Sequence, residues 1–126
     1  MNRLQRILII DDEPDIREFV SYNLSRRGFE VFTAADGEAG LKTASDCKPH
    51  LILLDILMPV MNGYETCKRL REDPSFDQTR IIFLSALSES YTRELGYRLA
   101  ADGYICKPMR MHDLVRAVED ELSEKH

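Results

Sequence analysis

Leu51-Ile52-Leu53-Leu54-Asp55 is the stretch whose reading decides the fold. Four consecutive apolar residues without alternation suit a strand buried on both faces of a parallel sheet. The carboxylate that ends the run lies where open α/β sheets place their ligands, at the C-terminal edge. A second run, Ile7-Leu8-Ile9-Ile10, also ends in acid, at Asp11-Asp12. If these strands are neighbours, three carboxylates meet at one point. Such a cluster repels itself and raises its own pKa values unless a cation sits there.

Working outward, apolar runs alternate with amphipathic segments. Glu13-Pro14 starts a helix, since proline is tolerated in a first turn, and Ile16, Phe19, Val20 and Leu24 form its stripe up to Gly28. Residues 29–33 read as a strand, and Ala39, Leu41 and Ala44 as a small helix. Met58-Pro59-Val60-Met61-Asn62-Gly63 is a loop, because Pro and Asn-Gly both interrupt regular structure. A helix through Tyr64, Cys67 and Leu70 follows, stopped by Asp73-Pro74. Residues 80–84 form a fourth strand ending at Ser85. A helix over 88–99 carries Tyr91 and Leu95 on one side. A fifth strand over 103–106 ends at Lys107-Pro108, and Met111, Leu114, Val115, Val118 and Leu122 mark the closing helix. Five β-α units predict an α/β fold with a doubly wound parallel sheet and five helices. Right-handed crossovers favour the flavodoxin-like strand order 2-1-3-4-5, which makes the first and third strands adjacent.

Composition narrows the function classes. A chain of 126 residues reads as one domain, 1–126. No apolar run approaches the roughly 20 residues that span a bilayer, and no signal peptide precedes the first strand, so a cytoplasmic location is expected. Cys47, Cys67 and Cys106 are odd in number and widely spaced, which points to small buried thiols rather than to disulfides or zinc. His50, His112 and His126 read as surface or capping residues. With a net charge of −5 and dispersed basic residues, direct nucleic-acid binding is not expected.

The strand ends supply Asp11-Asp12, Asp55, Ser85 and Lys107. Carboxylates with water suit a hard octahedral cation such as Mg²⁺. Lys107 offers a compact positive charge and Ser85 a hydroxyl, both useful to a phosphoryl oxygen. The set describes phosphoryl transfer to Asp55 as nucleophile. Four motifs in order, ILIIDDEPD at 7–15, LDILMPVMNG at 54–63, LSA at 84–86 and ADGYICKP at 101–108, resemble the receiver domain of bacterial two-component response regulators over essentially the whole chain. The resemblance implies Asp55 as phospho-acceptor, charged by a histidine kinase or histidine phosphotransfer protein. It further implies Mg²⁺ held by Asp12 directly, by Asp11 mainly through water, by Asp55 and by the Leu57 backbone carbonyl. Ser85 and Lys107 would hold the phosphoryl oxygens, Tyr104 would be an aromatic switch, and the Lys107-Pro108 bond would be cis.

Three classes of function compete: a stand-alone receiver that docks an output protein, the receiver part of a longer DNA-binding regulator, and an enzyme or flavin carrier built from the same ingredients. An aspartate-nucleophile phosphatase needs a second Asp two residues after the nucleophile, where this chain has Leu57. In a flavin carrier, Asp11-Asp12-Glu13 would repel the phosphate. The acidic and basic positions through which winged-helix regulators dimerise are Leu99, Gly103 and Ala117 here, so a monomer or a different, phosphorylation-dependent dimer is expected, and the stand-alone reading leads. No membrane partner is expected.

Overall fold

The computed structural model describes residues 4–123. Its elements run β1 Arg6–Ile10, α1 Pro14–Arg26, β2 Glu30–Ala34, α2 Gly37–Cys47, β3 Leu51–Asp55, α3 Gly63–Glu72, a 3-10 turn Pro74–Phe76, β4 Arg80–Ser85, α4 Glu89–Arg98, β5 Gly103–Cys106 and α5 Met111–Ser123. The five strands form one parallel sheet in the order β2-β1-β3-β4-β5. The expected fold class and strand order are therefore present. The register pairs Ile10 with Leu54 and Asp55 with Leu84, which brings the ends of β1, β3 and β4 level with one another.

Strand residues alternate between faces with a period of two, and the core divides accordingly. Leu8, Ile10, Ile52, Leu54 and Phe83 pack with Ala44, Cys67, Leu70 and Leu95 from α2, α3 and α4. Ile7, Ile9, Leu51, Leu53, Ile82 and Leu84 pack with Val20, Leu24, Leu114, Val115 and Val118 from α1 and α5. All of β3 is buried, as its unbroken apolar run requires. The loops opening α2, α3 and α4 end in caps: Asp36, Asn62 and Ser88 accept from the N–H groups of Ala39, Glu65 and Tyr91.

Several expectations need correction. β2 begins one residue late, because the Phe29 N–H closes the end of α1 on the Leu24 carbonyl and is not free to pair. Phe19 is 64% exposed: the i, i+4 row Ile16-Val20-Leu24 faces the sheet and turns position 19 outward. Tyr91 is likewise exposed, while Leu95 is buried. His50 is not a free surface group. Its Nδ1 accepts from the Arg6 N–H at 2.9 Å, tying the start of β3 to β1, and burial together with the Arg6 charge lowers its pKa. Cys67 is buried as expected, whereas Cys47 and Cys106 are half-buried. His126 lies outside the described residues.

Candidate functional site

Three strand ends repeat one local device. Asp11 Oδ1 accepts from the Glu13 N–H at 2.9 Å, Asp55 Oδ1 from Leu57 N–H at 3.3 Å and Ser85 Oγ from Leu87 N–H at 2.9 Å. Asp and Ser side chains bond the backbone two residues on by preference. Here the habit turns each chain away from the sheet edge and fixes each oxygen there. Gly63 keeps the long loop after β3 folded down: its N–H donates to the Ile56 carbonyl at 2.9 Å, and a Cβ at this position would collide with the Asp55 carbonyl oxygen. Only glycine allows that approach.

Asp11, Asp12 and Asp55 each present a carboxylate oxygen to one point, all within 4.8 Å of one another. Asp11 is fully buried and Asp55 is 3% exposed, while Asp12 is open to solvent. Lys107 enters from the end of β5. Its Nζ lies 3.1 Å from Asp11 Oδ2, 3.1 Å from Glu13 Oε1 and 3.6 Å from Asp55 Oδ1. Its own N–H donates to the Ser85 carbonyl at 2.7 Å, and the Lys107-Pro108 bond is cis, as expected.

The electrostatics follow. Burial, then the charge of Asp11, pushes the Asp55 carboxyl up to about 7, even though Lys107 and the Leu57 N–H pull it down. Burial also pulls the Lys107 ammonium down. The Asp11 hydrogen bond and charge, the Asp55 charge and the Glu13 hydrogen bond outweigh it, leaving that group above its ordinary value. A lysine held charged beside a carboxylate held close to neutral pH is a site short of positive charge. The donor set is all oxygen, which fits a hard divalent cation. Asp11, Asp12, Asp55 and Lys107 are thus together, and Ser85 is buried at the end of β4, joined to Lys107 through its backbone carbonyl. Leu57 is at the rim, 53% exposed. Tyr104 is half-buried on β5 against the core face that α4 covers.

Two contributors escaped the sequence reading. Glu13, expected to start a helix and to repel a phosphate beside Asp11-Asp12, is also an anion on Lys107. Thr92 is buried with its Oγ1 3.0 Å from Ser85 Oγ. Its spacing, three before Leu95 and seven before Leu99, held the signal.

Residues 7–119 match the family model of the response regulator receiver domain. The chain belongs to that family. Among curated relatives it is 43% identical over 104 residues to the alkaline phosphatase synthesis transcriptional regulatory protein PhoP of Bacillus subtilis, covering 82% of this chain and 42% of that one. It is 35% identical to the DNA-binding response regulator MtrA of Mycolicibacterium smegmatis, covering 94% and 50%. Among solved structures, the chemotaxis protein CheY4 of Vibrio cholerae aligns with a TM-score of 0.88 at 31% identity, covering 94% of this chain and 98% of that one. TrrA of Thermotoga maritima, solved in complex with Mg²⁺ and BeF, aligns at 0.80 with 34% identity, covering 93% and 98%. The receiver spans about half the length of the curated relatives it matches. It is a signalling domain of two-component systems, and its acidic cluster is of the kind that holds Mg²⁺ in receivers. No helix among its described residues is long and apolar enough to cross a membrane.

Proposed function

We propose that this receiver takes a phosphoryl group on Asp55 and signals through its α4-β5-α5 face. The observation that carries the reading is the convergence of three carboxylates with Lys107, whose Nζ stands 3.6 Å from Asp55. An Asp55 oxygen attacks phosphorus, forming a P–O bond as the P–N bond to a donor histidine breaks. The imidazole leaves with the electron pair and takes a proton. Asp12, Asp11, Asp55 and the Leu57 carbonyl would hold Mg²⁺, which when bound neutralises charge on the phosphoryl oxygens. Lys107 adds a second positive charge there, and Ser85 a hydroxyl donor. The phosphoryl group brings up to two negative charges. Ser85 turns toward it and Tyr104 follows into the vacated space, which shifts a pre-existing equilibrium.

The donor is a histidine kinase or a histidine phosphotransfer protein, and it must bring its histidine to the edge that Lys107 occupies. A groove of about 470 Å³ adjoins that edge, walled by Ile16, Phe19, Pro108, Met109 and Met111, and it suits the apolar face of a donor helix. Leu99, Gly103 and Ala117 lack the charges of a winged-helix regulator dimer, so the domain itself is a monomer or forms a different, phosphorylation-dependent dimer. A cytoplasmic setting follows from the kinase partner. A second reading of the output has its own support. The curated relatives are about twice as long and are named as transcriptional or DNA-binding regulators. In that case the output is DNA binding by another domain, and this domain does not itself touch DNA.

The test is intact mass after incubation with acetyl phosphate and Mg²⁺. Wild type gains one phosphoryl increment and Asp55→Asn gains none. A full increment on the Asn variant overturns the assignment.

A further inference from the structure

Thr92 sits in α4 on the same stripe as Leu95 and Leu99, so the helix turns it inward and buries it completely. A buried hydroxyl needs a partner, and its partner is the residue proposed above to meet the phosphoryl group. Thr92 Oγ1 donates to Ser85 Oγ at 3.0 Å. The same oxygen accepts from the Leu87 N–H at 2.9 Å. A serine oxygen has two lone pairs, so both acceptor positions of Ser85 are engaged. Both donors belong to the chain that follows Ser85, namely the β4-α4 connection and α4. The oxygen is thereby tied to α4 and to the connection that leads into it.

A phosphoryl group on Asp55 offers acceptors only, so Ser85 meets it as a donor. In the turn toward the phosphoryl group proposed above, its oxygen leaves this double tie, and Thr92 loses its partner in a dry interior. An orphaned buried hydroxyl is costly, and the cost is relieved when α4 moves. We infer that Thr92 is a positioning residue: its hydroxyl holds Ser85 in the resting orientation and makes movement of α4 part of phosphoryl recognition. The inference rests on the reading of Asp55 and Ser85 given above. It goes beyond that reading by naming the group on α4 that Ser85 must leave.

The bond opposes activation, so removing it favours the active form. Thr92→Val keeps the shape and deletes the hydroxyl, whereas Thr92→Ser keeps the hydroxyl. A neutral hydrogen bond is worth about 1 kcal/mol net, equivalent to about fivefold in affinity. The experiment titrates Mg²⁺ and beryllofluoride into each protein and follows amide shifts along residues 103–107. Thr92→Val binds the mimic about fivefold more tightly than wild type, and its unliganded shifts at Tyr104 lie part-way toward the bound positions. Thr92→Ser behaves as wild type. In a Ser85→Ala background, Thr92→Val changes affinity no further, because its effect runs through Ser85. Should the Val variant fail to fold, Thr92→Ala is compared in the same way. A residue with a packing role alone would change melting temperature and leave the affinity untouched. Unchanged or weaker binding by Thr92→Val, or an equal gain in the Ser85→Ala background, overturns the inference. Mimic binding that survives Asp55→Asn contradicts the underlying assignment of the site instead.

Discussion

Replacing Asp55 by Asn should stabilise the domain, and by an amount that depends on pH. The carboxyl is pushed from 3.8 to about 7, first by burial and then by Asp11. A carboxyl whose pKa is raised on folding binds protons more tightly in the native state. The associated stability is fully present below the unfolded pKa and is lost as pH climbs to the folded one. At 1.36 kcal/mol for each unit, the ionised group costs about 4 kcal/mol at pH 8. At pH 4.5 the unfolded group is already mostly ionised, and the cost is only about 1 kcal/mol. Water entry and relaxation reduce the larger figure, so a gain of about 2–4 kcal/mol is expected at pH 8 for Asp55→Asn. An unfolding entropy of about 2.1 cal/mol/K per residue converts that into a rise of roughly 8–15 °C in Tm. Thermal melts of both proteins in EDTA, at pH 8 and at pH 4.5, test the reasoning. Acid groups elsewhere titrate in both proteins and cancel in the comparison. A gain of equal size at the two pH values, or a variant less stable than wild type at pH 8, refutes it.

Other perturbations probe the loop and the lifetime of the signal. Gly63→Ala drives a methyl into the Asp55 carbonyl and should cost about 1–3 kcal/mol, read from urea midpoints. A silent substitution would mean that the loop yields freely. Val60 is 98% exposed at φ +67°, a conformation costly to a branched side chain, so Val60→Asn should raise stability by about 1 kcal/mol. An unchanged or lowered urea midpoint counts against strain there. Leu57 and Leu87 follow Asp55 and Ser85 by two residues, and neither side chain can hydrogen-bond or orient an attacking water. A Leu57→Asn, Leu87→Glu double variant should therefore release phosphate about tenfold faster, equivalent to about 1.4 kcal/mol of barrier. Equal or slower release would place control of water elsewhere.

The unbroken runs 7–10 and 51–54 made the buried strands legible, because a strand covered on both faces has no polar side to hide. Their acidic ends, with Ser85 and Lys107, made the site legible too, since strand order alone brings them together. What escaped depends on rotation about a helix axis or on reach. Phe19 is expected on the apolar stripe of an amphipathic helix yet points outward, a difference of one residue in a 3.6-residue turn. The Glu13 carboxylate reaches Lys107 across 94 positions of sequence, a contact that no local spacing encodes. Thr92 looked like an ordinary polar residue in a helix of weak hydrophobicity. Only the phase set by Leu95 marks it as buried, and only the fold supplies Ser85 as its partner.

The central claim is that Asp55 carries the phosphoryl group, and the most direct measurement traps the acyl phosphate where it forms. Borohydride reduces an aspartyl phosphate to homoserine, so peptide mapping after reduction marks the modified residue. The account predicts homoserine at position 55, dependent on Mg²⁺ and phosphodonor. Homoserine at Asp11, Asp12 or any other aspartate, or stable phosphate on a hydroxyl or imidazole with position 55 unreduced, would contradict it.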